Sequence, residues 1–353
     1  MNRWEYTECE LWRHSKGEVS IMHLFGTVAI GNTVLIFAEA RHGKGGDANC
    51  AHDIYMKKSV DGGKSFLDNR NLLDSFGKIC YVNPVPVYDK NIDRLFLFYA
   101  INKVNTATEN YYIFSDNKGD SWSDPVDITV SLQNGGMPFN LPGPGHGIQL
   151  KNGRLLIPFW HRKFGPETEL EKRGYCLSML YSDDHGANWS QNGFFGEACL
   201  ANESRIAETS DSLIWNARTF SQNRFEAKSL DGGLSWSEFT VSPLPPAVPC
   251  DASIVGLNAE NSYENTVLFS HVSSTEERKD MEICISLNGG KSYDNSFKLM
   301  TGDAIPGYSD LSVIDETTVG LVHARNNHVL FSRISMEALT GGDFDKVSRN
   351  PWP

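Results

Sequence analysis

Ser59-Val60-Asp61-Gly62-Gly63-Lys64-Ser65-Phe66 is one of five copies of the same octet; the others run Ser115 to Trp122, Ser182 to Trp189, Ser229 to Trp236 and Ser286 to Tyr293. The shared pattern is S-x-D-x-G-x-x-[WFY], with Asn117 and Asn288 replacing the Asp in two copies. Ser and Asp or Asn can bond nearby backbone amides and close a turn, while Gly supplies the positive φ that a tight turn needs. The closing aromatic is free to fold back as a plug between neighbouring sheets. The Ser starts lie 56, 67, 47 and 57 residues apart. Repetition at that period matches a four-stranded blade with its loops, not a helical repeat.

The chain has 353 residues, 40% of them hydrophobic and 11% aromatic. That length exceeds the usual single core, so two domains or one radial repeat fold is expected, and the octets select the second. At roughly 55–60 residues per blade, six blades account for the whole chain. The fold class expected is therefore all-β, a six-bladed β-propeller of four-stranded antiparallel blades, as one domain over residues 1–353 with a loose tail from about 341. Five blades carry an octet. The sixth is expected to combine strands from both termini and so close the ring, which removes free sheet edges.

Short β-rich runs punctuated by Gly, Asn, Asp and Pro support this reading. They include Thr33–Ala38, Leu95–Ala100, Arg154–His161, Leu213–Ala217, Thr266–Val272, Met281–Ser286, Thr318–His323 and His328–Ile334. Met336–Leu339 reads as a single helical turn. No run of 18 apolar residues is available to span a membrane. Met1-Asn2-Arg3-Trp4-Glu5 lacks the basic-then-apolar pattern of a signal peptide, so a cytoplasmic location is expected, or a secreted one if a leader has been removed. The seven cysteines are scattered without a C-x-x-C pair, which signals neither a disulfide framework nor a zinc site. No cofactor or metal is called for. With 44 acids against 32 bases the net charge is −12, which argues against a nucleic-acid partner. An anionic ligand would need a local cluster of arginines.

Together with the octets, five segments resemble the sialidase (neuraminidase) family of six-bladed propeller glycoside hydrolases with Asp-box (BNR) repeats. They are Phe37-Ala38-Glu39-Ala40-Arg41, Asn83-Pro84-Val85-Pro86, Gly143 to Leu150, Asn216-Ala217-Arg218 and Gly307-Tyr308-Ser309-Asp310-Leu311. The resemblance covers about residues 20 to 335. It implies a retaining glycosidase whose nucleophile is a tyrosine, because an anionic nucleophile would be repelled by the substrate's own carboxylate.

On this resemblance Tyr308 takes the nucleophile position and Glu203 matches the glutamate that accepts the phenolic proton. Glu208 competes for that role, although spacing to Asn216-Ala217-Arg218 favours Glu203. Asp47, in the Gly-rich loop Arg41 to Asp47, takes the acid/base position, with Asp53 as the alternative. Gly43, Gly45 and Gly46 would let Asp47 swing over a substrate, and partial burial would raise its pKa. Arg218 and Arg278 match two arginines of a carboxylate clamp, a task suited to the planar guanidinium fork. Arg41 fits a supporting role with Glu39 as its orienting partner.

One departure stands out. The first clamp arginine is missing, and His23 in Met22-His23-Leu24-Phe25-Gly26 takes its place. The glutamate that would hold that arginine falls at Ala324. Joint loss of an ion pair reads as remodelling, since losing one member alone strands a buried charge. His23, His323 or Arg325 could partly replace the cation. A histidine titrating near its ordinary pKa of about 6.5 would then weaken anion binding between pH 5 and 7.5.

The expected function is hydrolysis of terminal sialic acid, or a related nonulosonic or ulosonic acid, from sialylated or similar acidic glycans. The alternatives are a glycan-binding propeller without turnover, and a hydrolase for a different acidic sugar.

Overall fold

The computed structural model describes residues 5–13, 20–43, 47, 50–132, 136–257, 263, 265–302, 304–340 and 348–349. Its strands form six sheets, each with an antiparallel path of four strands, arranged as a propeller. Counting from the N-terminal side, the first blade is Ser20–Ile30, Thr33–Arg41, His52–Ser59 and Leu67–Leu73. The second is Tyr81–Asp89, Arg94–Lys103, Ala107–Ser115 and Val126–Asp127. In the third the innermost position is divided between Phe139–Pro142 and Ile148–Gln149, both paired with Leu155–Arg162, followed by Cys176–Ser182 and Ser190–Gln191. The fourth is Ser204–Glu208, Leu213–Ala217, Phe225–Ser229 and Thr240–Val241. The fifth is Ser253–Leu257, Thr266–Val272, Met281–Ser286 and Asn295–Met300.

The sixth blade closes the ring as expected. Pro306–Asp315, Thr318–Arg325 and His328–Ser335 come from the C-terminal side, and Glu5–Arg13 completes the sheet antiparallel to His328–Ser335. Ser348–Arg349 adds a short parallel pairing to that strand. The rest of the segment expected as a loose tail, and the glycines Gly45 and Gly46, lie outside the described residues. Met336–Thr340 is the short helix read from the sequence. Among the described residues no helix is long and apolar enough to cross a membrane.

All five octets form the turn from the third to the fourth strand of their blade. The sixth blade has none, because its fourth strand arrives from the other end of the chain. In each octet the Ser hydroxyl accepts the Gly N–H and donates to the Asp or Asn side chain, as in Gly63 N to Ser59 Oγ at 2.8 Å and Ser59 Oγ to Asp61 Oδ1 at 2.7 Å. The glycines at the fifth position of the octets have φ between +76° and +87°. A Cβ at Gly63 would lie 2.4 Å from Phe331 of the sixth blade, and one at Gly186 2.4 Å from Phe96 of the second. These turns press against the preceding blade so closely that no side chain fits.

The plugs behave as the pattern suggests. Phe66 packs edge-on to Phe331 at 5.0 Å, Trp122 to Phe37 at 5.9 Å and Trp189 to Phe98 at 4.9 Å. The hydrophobic clusters accordingly run from blade to blade; one joins Leu35, Phe37 and Met56 of the first to Leu95, Leu97 and Ile113 of the second. Burial of each such ring stabilises the ring closure by about 1.5–3 kcal/mol.

Candidate active site

Strand direction fixes which face carries chemistry. Innermost strands begin, and second strands end, at one mouth of the propeller; the octets lie at the opposite ends. A cavity of about 380 Å³ opens at that first mouth. His23, Arg41, Asp47, Glu203, Arg218, Arg278 and Tyr308 all line it. Glu39 lies directly beneath, fully buried.

Tyr308 enters through a break in register between Pro306 and Ser309 at the start of its strand. An irregularity of this kind re-aims a side chain that a regular pleat would direct into the sheet. Its hydroxyl donates to Glu203 Oε1 at 2.7 Å, and Arg218 Nη1 donates to the same hydroxyl at 3.0 Å. The other Glu203 oxygen accepts from Arg218 at 2.5 Å. Backbone pairing holds the two carriers together, with Arg218 N donating to Glu203 O at 2.8 Å. Burial and the Glu203 carboxylate push the Tyr308 phenol well above its usual range. Burial also works against the Glu203 charge, but Arg218 and the Tyr308 O–H outweigh it and hold the carboxyl below its ordinary value. The resting pair is thus a neutral phenol donating to a carboxylate.

Glu208 is elsewhere. Its carboxylate accepts from Lys151 N, with both oxygens at 3.2 Å, and lines a separate cavity at the opposite mouth. Asp53 is likewise separate from the pocket: it is buried and accepts from Ser75 N at 2.8 Å and Asn71 at 3.1 Å, with the His42 ring at 2.8 Å. Asp47 does reach the pocket, but as an exposed side chain and not the partly buried one expected. Its Oδ1 pairs with Arg41 Nη1 at 2.6 Å, and Arg41 Nε donates to Glu39 Oε1 at 2.6 Å. Asn102 bonds the Asp47 carbonyl at 3.2 Å.

His23 corrects a second expectation. Its ring stands edge-on to Tyr308, with centroids 4.5 Å apart and planes at 87°. Leu24 N donates to His23 Nδ1 at 3.0 Å, so that nitrogen carries no proton. Burial, reinforced by the Arg41 charge, lowers the His23 pKa to about 4. The side chain in the missing arginine's place is therefore neutral between pH 5 and 7.5. Nor do the other candidates supply the cation. Arg325 pairs with Glu8 at 3.0 Å, and fully buried His323 contacts Ser332 at 2.9 Å and Glu8 at 3.4 Å. The N-terminal strand brings Glu8 to them, a neighbour more than 300 residues away in sequence.

Arg278 differs from the other arginines. It is exposed, its guanidinium lies over the Tyr308 ring at 5.8 Å, and among the described residues it makes no ion pair. Arg218 also keeps one buried donor, Nε, without a partner among the described residues.

Several lining residues were missed in the sequence, notably Arg162, Asn83, Asn102, Asn105, Trp160 and Tyr175. Arg162 is 5% exposed, stacks over Phe139 at 4.2 Å and leaves Nε without a partner among the described residues. A signal existed, since Arg41, Arg162 and Arg325 each end the second strand of a blade, and Arg218 directly follows one. The segment Gly143 to Leu150 has a structural reason instead. A Cβ at Gly145 would lie 2.1 Å from Arg205 Nε, and buried Arg205 pairs with Asp251 at 2.7 Å under the pocket.

Comparison with known proteins bears on the family and the fold. The family described as BNR repeat-like domain matches residues 80–324. A sialidase from Bacteroides fragilis is 29% identical over 231 residues, 63% of this chain and 41% of that protein. Sialidase-3 from Mus musculus is 27% identical over 294 residues, 67% of this chain and 70% of the mouse protein. The chain thus spans about two fifths of the bacterial relative. Among solved structures, a Hadza microbial sialidase superposes with a TM-score of 0.82 at 24% identity, covering 93% of this chain and 68% of that one.

Proposed function

The chain belongs to the sialidase family through its BNR repeat-like domain, and from that premise we propose that it is an exo-acting hydrolase that removes a terminal sialic acid, or a related ulosonic acid, with retention of configuration. The observation that carries the reading is the chain of hydrogen bonds from Arg218 through Tyr308 to Glu203, at 3.0 and 2.7 Å. A neutral phenol can approach an anomeric centre that already bears a carboxylate. As Tyr308 Oη bonds to that carbon, its proton passes to Glu203 Oε1, and the adjacent Arg218 guanidinium stabilises the phenolate character that develops. Asp47 protonates the departing glycosidic oxygen, then removes a proton from the water that attacks the anomeric carbon; the Tyr308 Oη–carbon bond breaks and Glu203 returns its proton to the phenolate. Arg218 and Arg278 bind the substrate carboxylate, and Arg41 positions Asp47.

One observation favours a second reading of the substrate. A neutral His23 stands where the resemblance calls for an arginine, so the acid group of the natural sugar is anchored by two arginines and not three. That leaves a hydrolase specific for a different acidic sugar as the second reading. A panel of 4-methylumbelliferyl glycosides of sialic acid and other ulosonic acids tests both. Fluorophore release in the parent, lost by at least about 10³-fold in Tyr308→Phe, is expected. Release that survives Tyr308→Phe would overturn the assignment of the nucleophile. Binding of these sugars without any release would leave the glycan-binding alternative.

A further inference from the structure

His271, Glu282 and Cys284 lie together on one face of the fifth blade, outside the pocket chemistry. The strands Thr266–Val272 and Met281–Ser286 pair antiparallel with His271 opposite Glu282, and Cys284 follows two residues on, so all three side chains leave the same face. His271 is 4% and Cys284 1% exposed. The three donor atoms form a triangle: His271 Nε2 to Glu282 Oε1 3.4 Å, Cys284 Sγ to His271 Nε2 3.4 Å, and Cys284 Sγ to Glu282 Oε1 3.6 Å.

Those lengths match one face of a zinc tetrahedron. With Zn–N and Zn–O near 2.1 Å and Zn–S near 2.3 Å, tetrahedral angles give an N···O edge of about 3.4 Å and N···S and O···S edges of about 3.6 Å. The donor set, imidazole, thiolate and carboxylate, suits zinc. Glu282 also borders a surface cavity of about 530 Å³ with Ser273, Asp280 and Lys298, which provides an entry path. The Tyr293 hydroxyl, in the cluster that contains Cys284, is buried without a hydrogen-bond partner among the described residues.

We propose that His271, Glu282 and Cys284 bind one zinc ion, with a fourth position left for water. Binding removes the thiol proton of Cys284, so one proton is released per ion and affinity rises with pH. The two ligands His271 and Glu282 flank the hairpin loop that carries Arg278. The ion therefore braces that loop, and zinc lowers KM for the acidic sugar; this last step rests on Arg278 as a substrate anchor.

A second thiol cluster serves as the control. Cys50 and Cys80 approach His52 on opposite ring nitrogens, at 3.2 and 3.4 Å, so one ion cannot take all three. The test is cobalt(II) titration of the full chain after chelator treatment, read by thiolate charge-transfer absorbance and followed by displacement with zinc. One equivalent is expected, with affinity weakened by about 100-fold or more in Cys284→Ser and in His271→Gln. Cys80→Ser is expected to bind as the parent does. Should Cys284→Ser fail to fold, Glu282→Gln keeps the shape of the site and still weakens binding. No charge-transfer band, or a band unchanged in Cys284→Ser or Glu282→Gln, overturns the site. Because the band is read without substrate, its loss is distinguishable from failure of the sialidase reading, and zinc binding with an unchanged KM overturns only the brace on Arg278.

Discussion

The octet face and the pocket mouth are opposite ends of the same strands, built on contrary plans. At the octets one local geometry recurs five times, with Ser accepting the Gly N–H at 2.8–2.9 Å in every copy. At the mouth the blades contribute different sets of groups: His23 and Arg41 come from the first, Arg162 from the third, Glu203 and Arg218 from the fourth, Arg278 from the fifth and Tyr308 from the sixth, with only the arginine at or just past the end of the second strand recurring, in the first, third and fourth. Repetition serves closure of the ring. Its absence at the other end frees each blade for a different chemical task. The lesson is that changes at the mouth should fall chiefly on turnover, and changes at the octets on stability alone.

The largest expected effect is at the mouth. Glu203→Gln removes the acceptor of the Tyr308 proton and should lower kcat by about 10³-fold; because it also leaves the Arg218 guanidinium without its carboxylate, it should lower the melting temperature as well. Glu208→Gln, at the opposite mouth, should leave kcat as it is; a comparable loss there would break the distinction between the two glutamates. Next comes Arg278→Ala, expected to raise KM by roughly 10- to 100-fold with a smaller change in kcat, as loss of a charged hydrogen-bonding partner implies.

On the octet face Gly63→Ala introduces a Cβ 2.4 Å from the Phe331 ring at φ +79°. It should cost about 1–3 kcal/mol in a denaturation experiment, with kcat/KM unaltered. Gly31→Ala, at φ +59° with nothing within 4 Å of its Cβ, should cost less, which separates crowding from backbone strain.

The smallest effect concerns His23. Its folded pKa of about 4 lies below the unfolded value near 6.5, so between these pH values the unfolded chain binds the extra proton. The stability contribution is present above pH 6.5 and is lost as pH falls toward 4. His23→Gln should therefore lose less stability than the parent between pH 6.5 and 4.5. Burial sends buried His161 the same way, to about 3, so part of the decline remains in the variant. KM should stay flat between pH 5 and 7.5; a steep rise over that interval would restore a charged His23.

The sequence by itself determined the six blades, the position of every octet, and the sharing of the last blade between the termini. These follow from turn chemistry between residues at most seven apart and from the count of repeats. It also pointed to Tyr308, Glu203 and the arginines, through a resemblance carried by short segments. Tertiary structure alone decided their electrical state. His23 is neutral because desolvation and the Arg41 charge hold its pKa low and its Nδ1 takes a hydrogen bond from Leu24, and Arg325 does not replace the clamp because Glu8 arrives from the far terminus. The same holds for Glu203 over Glu208, since five residues along a strand carry a carboxylate from one mouth of the propeller to the other. It holds equally for the His271, Glu282 and Cys284 triangle, which no spacing along the chain announces. Turn geometry depends on sequence neighbours, whereas charge and coordination depend on burial and on partners from other strands and other blades.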